Sequence, residues 1–162
     1  MRFSASYDRN TKILSTVVCL GLLAVIVIVH NLVLTCLSLL VIVLCFAYSP
    51  RGYVLAGRSI LVKRLAGTIR IPIDELREAR RATPDDFRGG IRLWGSGGLF
   101  GYYGLFSTAK LGRSTWYVTD RSNGVVVITA SKTVLFSPDA AEVFLAAIRA
   151  GAAVLVEFAK PD

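Results

Sequence analysis

Thirty-six consecutive residues, Ile13 to Tyr48, contain no Lys, Arg, Asp or Glu. The only strongly polar pair inside that block is His30-Asn31. Read as one straight helix, the block would be about 54 Å long, whereas the hydrocarbon core of a bilayer is about 30 Å thick. Two crossings of about 17 residues each fit that thickness. Asn is a turn former and tolerates the left-handed conformation, so the reversal is expected at His30-Asn31. The predicted organisation is a cytoplasmic N-terminus over 1–12, a transmembrane helical hairpin over 13–48, and a separate domain over 49–162. The hairpin helices are expected at Ile13–Val29 and Leu32–Tyr48, with Pro50 and Gly52 stopping the second. A cleaved leader is disfavoured, because no small-x-small site follows Val29 and the apolar run continues well past an h-region.

The flanks set the orientation. Arg2, Arg9 and Lys12 precede the block, and Arg51 and Arg58 follow it, while the turn carries neither Lys nor Arg. Lys and Arg stay on the cytoplasmic side, so both termini are expected there, at the cell membrane, with a very short external turn. The net charge of +8 would suggest nucleic acid for a soluble protein. Beside a membrane segment, attraction to anionic headgroups accounts for it, at about 1 kcal/mol per basic residue near the surface. No nucleic-acid partner is therefore expected. At 54% hydrophobic and 19% charged, the chain also lacks the composition of a disordered protein.

All three cysteines, Cys19, Cys36 and Cys45, lie inside the apolar block, and so does the one histidine. The remaining domain can form neither a disulfide framework nor a Cys-ligated zinc site. It also lacks the common nucleophile–base pairs that need His or Cys. Asp74-Glu75 and Asp85-Asp86 are sequence neighbours, which does not make an acid–base pair. Asp74-Glu75 reads as the cap of a helical turn over Ile73–Leu76, and Asp85-Asp86 as part of a solvated loop. No catalytic, cofactor or metal residues are assigned, and the chain is expected not to be an enzyme. The helices hold no acidic or basic side chain, so no ion pathway is visible and an anchor is the simpler assignment.

From Tyr53 onward, short β-branched and aromatic runs alternate with turn residues. Strands are expected at Tyr53–Ala56, Ser59–Leu65, Thr68–Ile71, Glu78–Ala82, Tyr102–Thr108, Ser114–Thr119, Val125–Thr129 and Thr133–Phe136, the fourth being weak. Thr83 to Gly98 reads as loop, with Gly104 suggesting a bulge or a close backbone approach. Ser137-Pro138-Asp139 then has the form of a helix start, and Ala141, Phe144, Leu145 and Ile148 fall at helical spacing, with Gly151 able to end the helix. About seven short strands and one amphipathic helix match a strongly bent antiparallel sheet, a mainly-β pleckstrin-homology-like barrel capped by a C-terminal α-helix.

Trp94-Gly95-Ser96-Gly97-Gly98-Leu99-Phe100-Gly101-Tyr102-Tyr103-Gly104-Leu105-Phe106, Tyr117-Val118-Thr119-Asp120-Arg121, Val125–Ile128 and Phe136-Ser137-Pro138-Asp139 resemble bacterial PH-domain membrane proteins. The resemblance covers roughly Tyr53 to Ile148 and implies the PH-like fold and a membrane location. It implies no agreed ligand and no enzymatic activity.

Two groups are candidate contact residues. The Gly-rich stretch lacks the third Gly of a dinucleotide loop, since position 100 is Phe100, and no Walker lysine follows. It reads as a glycine-permitted turn and bulge, with Leu99, Phe100, Tyr102 and Tyr103 as an interaction loop facing the bilayer or a partner. Arg58, Lys63, Arg64 and Arg70 lie in an acid-free run around the first hairpin and are candidate headgroup contacts. The expected function is a non-enzymatic, membrane-anchored interaction or scaffolding module with a protein partner or a second copy. The alternatives are an anionic-lipid headgroup binder and an accessory subunit of a membrane enzyme or transporter.

Overall fold

The computed structural model describes residues 1–73 and 75–158. The chain begins with a short strand β1 (Arg2–Ser4) and then forms helices α1 (Arg9–Val29) and α2 (Leu32–Tyr48). Asp8 caps α1 by accepting from the Thr11 N–H at 2.6 Å. The helix thus starts at Arg9, a turn before the apolar block, because the cap sits in the polar flank. At the reversal the two polar residues divide the work. His30 takes the left-handed conformation (φ 49°), and the Asn31 side chain accepts from the Val33 and Leu34 N–H groups to start α2. Of the two helices only α1 is both long and apolar enough to cross a membrane, and α2, at 17 residues, is shorter. Their side chains are arranged inside out: the buried residues are Thr11, Ser15 and Ser38, while the large aliphatics are mostly exposed.

Nine strands follow: β2 (Gly52–Ala56), β3 (Ser59–Arg64), β4 (Gly67–Pro72), β5 (Leu76–Arg81), β6 (Ile91–Gly98), β7 (Gly101–Thr108), β8 (Gly112–Val118), β9 (Val125–Thr129) and β10 (Thr133–Phe136). A one-turn helix α3 (Pro84–Phe87) precedes β6, and helix α4 (Ala141–Phe158) closes the domain. The strands do not join into the expected closed barrel of about seven. They form two sheets, β1-β2-β3-β4 and β5-β9-β10-β8-β7-β6, in an open sandwich. Nor is the pairing wholly antiparallel, since β10 returns between β9 and β8 and runs parallel to β8. That insertion puts β9 and β10 in the middle of the larger sheet, apolar on both faces, which is why Val125-Val126-Val127-Ile128 is a continuous run.

One face of the large sheet (Val125, Val127, Val134, Phe136) packs on Tyr53, Ile60, Val62 and Ile71 of the small sheet and on Phe144, Leu145 and Ile148 of α4. The other face (Phe106, Trp116, Val118, Val126, Leu135) packs on Phe87 of α3. Tyr53 is the buried hub. Its hydroxyl donates to the Tyr117 carbonyl at 2.6 Å and accepts from the Ser137 N–H at 3.1 Å, and burial pushes its pKa up to about 12.

Other expectations are corrected locally. Thr83 to Gly98 is α3 and β6 rather than loop. Ser137 does not cap the last helix: its hydroxyl accepts from the Thr119 N–H at 2.7 Å, and α4 begins only at Ala141. Asp139 instead binds the N-terminal segment, accepting from the Ser6 N–H and hydroxyl at 2.8 and 2.9 Å. Gly151 does not end α4, which runs on to Phe158. The helical turn expected over Ile73–Leu76 includes Asp74, which lies outside the described residues, as do positions 159–162.

Candidate functional site

The last four carbonyls of a helix have no partner within it. In α2 the β-domain supplies two. The Tyr103 hydroxyl donates to the Cys45 carbonyl at 2.7 Å, and the Ala66 N–H, in the β3–β4 turn, donates to the Ala47 carbonyl at 2.9 Å. Burial raises the pKa of Tyr103, so this hydroxyl keeps its proton. The turn between β6 and β7 is gripped from both helices. The Phe100 N–H donates to the Ser15 hydroxyl of α1 at 2.8 Å, and its carbonyl accepts from the Ser49 hydroxyl, just past α2, at 2.6 Å. The Phe100 ring meets Phe46 edge-on at 5.2 Å. Phe100 itself has φ 54°, an uncommon conformation for a residue with a side chain, held here by contacts on both of its backbone polar groups.

Glycine is needed where β6 and β7 run closest. Gly95 and Gly104 are cross-strand partners with φ 104° and 118°. A Cβ on Gly95 would overlap the Tyr103 carbonyl, and one on Gly104 the Trp94 carbonyl. The ladder also shifts register between Arg92 and Trp94, so the Gly-rich stretch is a bulged, tightly apposed hairpin.

This geometry decides where the sequence candidates lie. Leu99 and Phe100 are half-buried at the turn, Tyr103 is buried, and Tyr102 lies half-buried under Arg121, whose guanidinium carbon is 3.9 Å from the ring centroid. Phe100 and Tyr103 are occupied by the chain's own helices.

The four basic candidates do not converge. Arg58 is in the β2–β3 turn, about 20 Å from Arg64 along β3 at 3.3 Å per residue. Lys63 and Arg70 share the outer face of the small sheet with Leu61, and Arg70 donates to the Ser59 hydroxyl at 2.8 Å. Arg64 is on the opposite face, in line with Ile60 and Val62, and points to the end of the sandwich where α2 docks.

Two acidic residues expected in a solvated loop part company. Asp85 is exposed, whereas Asp86 is fully buried (0%). Its carboxylate accepts from Arg80 at 2.6 and 2.8 Å, lies 3.2 Å from Lys110, and accepts from the Thr83 N–H at 2.7 Å. The Arg80 guanidinium, with the Thr83 and Lys110 donors, holds its pKa well below the usual carboxylate range. Every oxygen is engaged in fixing α3 to β5, which makes this a structural ion pair. Among the described residues no three His, Cys, Asp or Glu side chains gather as metal ligands would.

What sequence reasoning did not single out is β6. It is an outer strand of the six-stranded sheet, and among the described residues no strand pairs with its other edge. Ile91, Leu93 and Trp94 are exposed on it, Trp94 at 79%. The signal was present as the apolar–basic–apolar alternation Ile91-Arg92-Leu93, obscured by the glycines that follow.

A family model described as "Bacterial PH domain" matches residues 51–151. Comparison with curated proteins gives no match, and comparison with solved structures gives none. The family match covers well over half of the chain, from Arg51, just past α2, into α4, and takes in every strand of the sandwich except β1: the chain belongs to the bacterial PH domain family.

Proposed function

We propose that the protein is a non-enzymatic interaction module anchored in the cell membrane by α1 and α2, holding its PH domain at the cytoplasmic face for a protein partner. The inside-out burial of the hairpin supports the anchor. Helices that bury Ser and Thr and expose Leu, Ile and Val need an apolar surround. The basic flanks support the orientation. The contacts to Cys45, Ala47, Ser15 and Ser49 favour a domain held in one attitude to the bilayer rather than swinging on a linker.

The observation that carries the interaction reading is the β6 edge. An edge strand presents unpaired N–H and C=O groups, and natural proteins usually protect it with Lys, Pro or a cover. Here the first half of β6 carries exposed Ile91, Leu93 and Trp94, with Arg92 as its one exposed charge. An extended segment can add to such an edge, with backbone hydrogen bonds giving affinity and the apolar side chains giving specificity.

The test is a photo-crosslinking amino acid at Leu93 in the full chain in native membranes. A discrete adduct, to itself or to another protein, is expected at Leu93 and not at Thr68 on the other sheet. Its absence at Leu93 would remove the edge as the contact. Membrane anchoring is checked separately: the chain should stay in the pellet after alkaline carbonate, and a protease site appended to the C-terminus should be cut only in inverted vesicles.

A further inference from the structure

Beside the docking contacts, the C-terminal half of α2 and the β6–β7 ladder enclose a cleft of about 520 Å³. Leu44, Cys45 and Tyr48 line it from α2, and Trp94, Gly95, Ser96, Tyr103, Gly104 and Tyr117 from the sheet. This size falls in the range of small-ligand sites. Arg64 is the one charged side chain among the described residues of its lining. The guanidinium carbon sits 5.1 Å from the Tyr48 ring centroid, and Nε is buried with no hydrogen-bond partner among the described residues. A buried, unsatisfied donor on a cation is costly, and an anion at the cleft would satisfy it.

We propose that this cleft binds one anionic phospholipid. Its phosphate accepts hydrogen bonds from the Arg64 guanidinium, and its glycerol region rests between Tyr48 and Trp94. Two features select a lipid over other anions. Apart from Ser96, whose hydroxyl donates to the Leu99 carbonyl, the rest of the lining is apolar or aromatic, which suits a ligand with one charged group on an apolar body. The cleft also opens onto a continuous exposed stripe of α2, Leu37, Leu40 and Leu44, at helical spacing, along which an acyl chain can lie. Tyr48 and Trp94 stand where interfacial aromatics meet headgroups. The inference rests on the reading that α2 lies in the bilayer. It differs from a basic-surface mechanism because one residue, on the inner face of the sheet, carries the headgroup contact.

Native mass spectrometry of the full chain in detergent, titrated with phosphatidylglycerol or phosphatidylcholine, tests it. One phosphatidylglycerol should be retained per chain, and phosphatidylcholine at least tenfold less. Arg64→Gln should lower phosphatidylglycerol retention at least tenfold, Arg64→Lys less, and Arg70→Gln, on the opposite face of the small sheet, not at all. Leu44→Trp, which fills the apolar part while keeping the charge, should lower it as Arg64→Gln does. If Arg64→Gln does not fold, as read by thermal unfolding, Leu44→Trp and Arg64→Lys carry the test. Equal retention of phosphatidylcholine, an Arg70→Gln loss matching Arg64→Gln, or full retention by the cleft variants would overturn the proposal. So would inorganic phosphate binding as tightly with the same Arg64 dependence. Carbonate extraction of the chain would instead refute the anchor, leaving the detergent measurement to stand or fall by itself.

Discussion

Phe3 and Phe144 meet edge-on with ring centroids 5.0 Å apart, joining the first strand of the chain to its last helix across the whole of the intervening hairpin. The residues before α1 are thus part of the β-domain's core. β1 pairs with β2, Phe3 is buried, and the backbone and side chains of Ser6, Asp8 and Thr11 bond to Thr119 and Asp139. The polypeptide enters and leaves the hairpin from one folded body.

Phe3→Ala should therefore destabilise the β-domain, although it lies more than a hundred residues from α4 in sequence. Loss of a buried aromatic costs about 3 kcal/mol or more. A fall in Tm of at least about 6 °C is expected for the full chain in detergent. A domain fragment starting at Arg51 should melt lower than the same fragment with residues 1–8 supplied through a short linker. Equal melting would mean that β1 adds nothing.

Gly104→Ala should abolish the β6–β7 hairpin rather than perturb it. The residue has φ 118°, and a Cβ would run into the Trp94 carbonyl. The cost should reach about 3 kcal/mol, the upper end for single substitutions. Gly112→Ala is the control: its φ is 62° but a Cβ there meets open space, so only the conformational penalty applies. A Tm for Gly104→Ala no lower than that of Gly112→Ala would contradict the close approach.

Asp86 sets an acid limit on stability. Its pKa is lowered in the folded state, so its contribution is fully present above the ordinary carboxylate value near 4. It is lost as pH falls from there through the depressed folded value. Asp86→Asn removes the buried partner of Arg80, which is partly exposed and keeps Glu78 at 2.9 Å, and should cost about 1–3 kcal/mol. Measured from pH 7 to pH 2, Tm should fall more steeply below pH 4 in the parent than in the variant. Parallel curves would show that Asp86 is not linked to folding.

Ser15→Ala tests the grip of α1 on the β6–β7 turn, where the Ser15 hydroxyl also donates to the Gly98 carbonyl at the end of β6 at 3.4 Å. The Phe100 N–H loses its acceptor, at a cost of about 1.4 kcal/mol, a tenfold change in a local opening equilibrium. Hydrogen exchange at Phe100 should accelerate about tenfold while exchange in β9 and β10 stays the same. Unchanged exchange at Phe100 would mean that the turn is held by the sheet alone.

Several elements were legible because a local pattern and the tertiary environment agree. Val125–Thr129 and Thr133–Phe136 read as strands and are strands, being central and apolar on both faces. The helical spacing of Ala141, Phe144, Leu145 and Ile148 reads correctly because that face does pack on the core. β6 was hidden because its glycines, which normally mark loops, are there to let two strands approach. Ser137 misled for a similar reason: a hydroxyl that could cap a helix found the Thr119 and Asp120 N–H groups first.

By itself the sequence determined the apolar helices, the turn between them, most of the strands, the final helix and the family resemblance, because each is written in neighbouring residues. Only the tertiary structure decided that the strands form two open sheets, with β10 inserted beside β8. It alone joined the N-terminus to the β-domain and set Arg70 beside Leu61 on the face of Lys63, away from Arg64. Those outcomes depend on which strands find one another and which face each side chain takes. Long-range pairing settles both, and local spacing does not encode it.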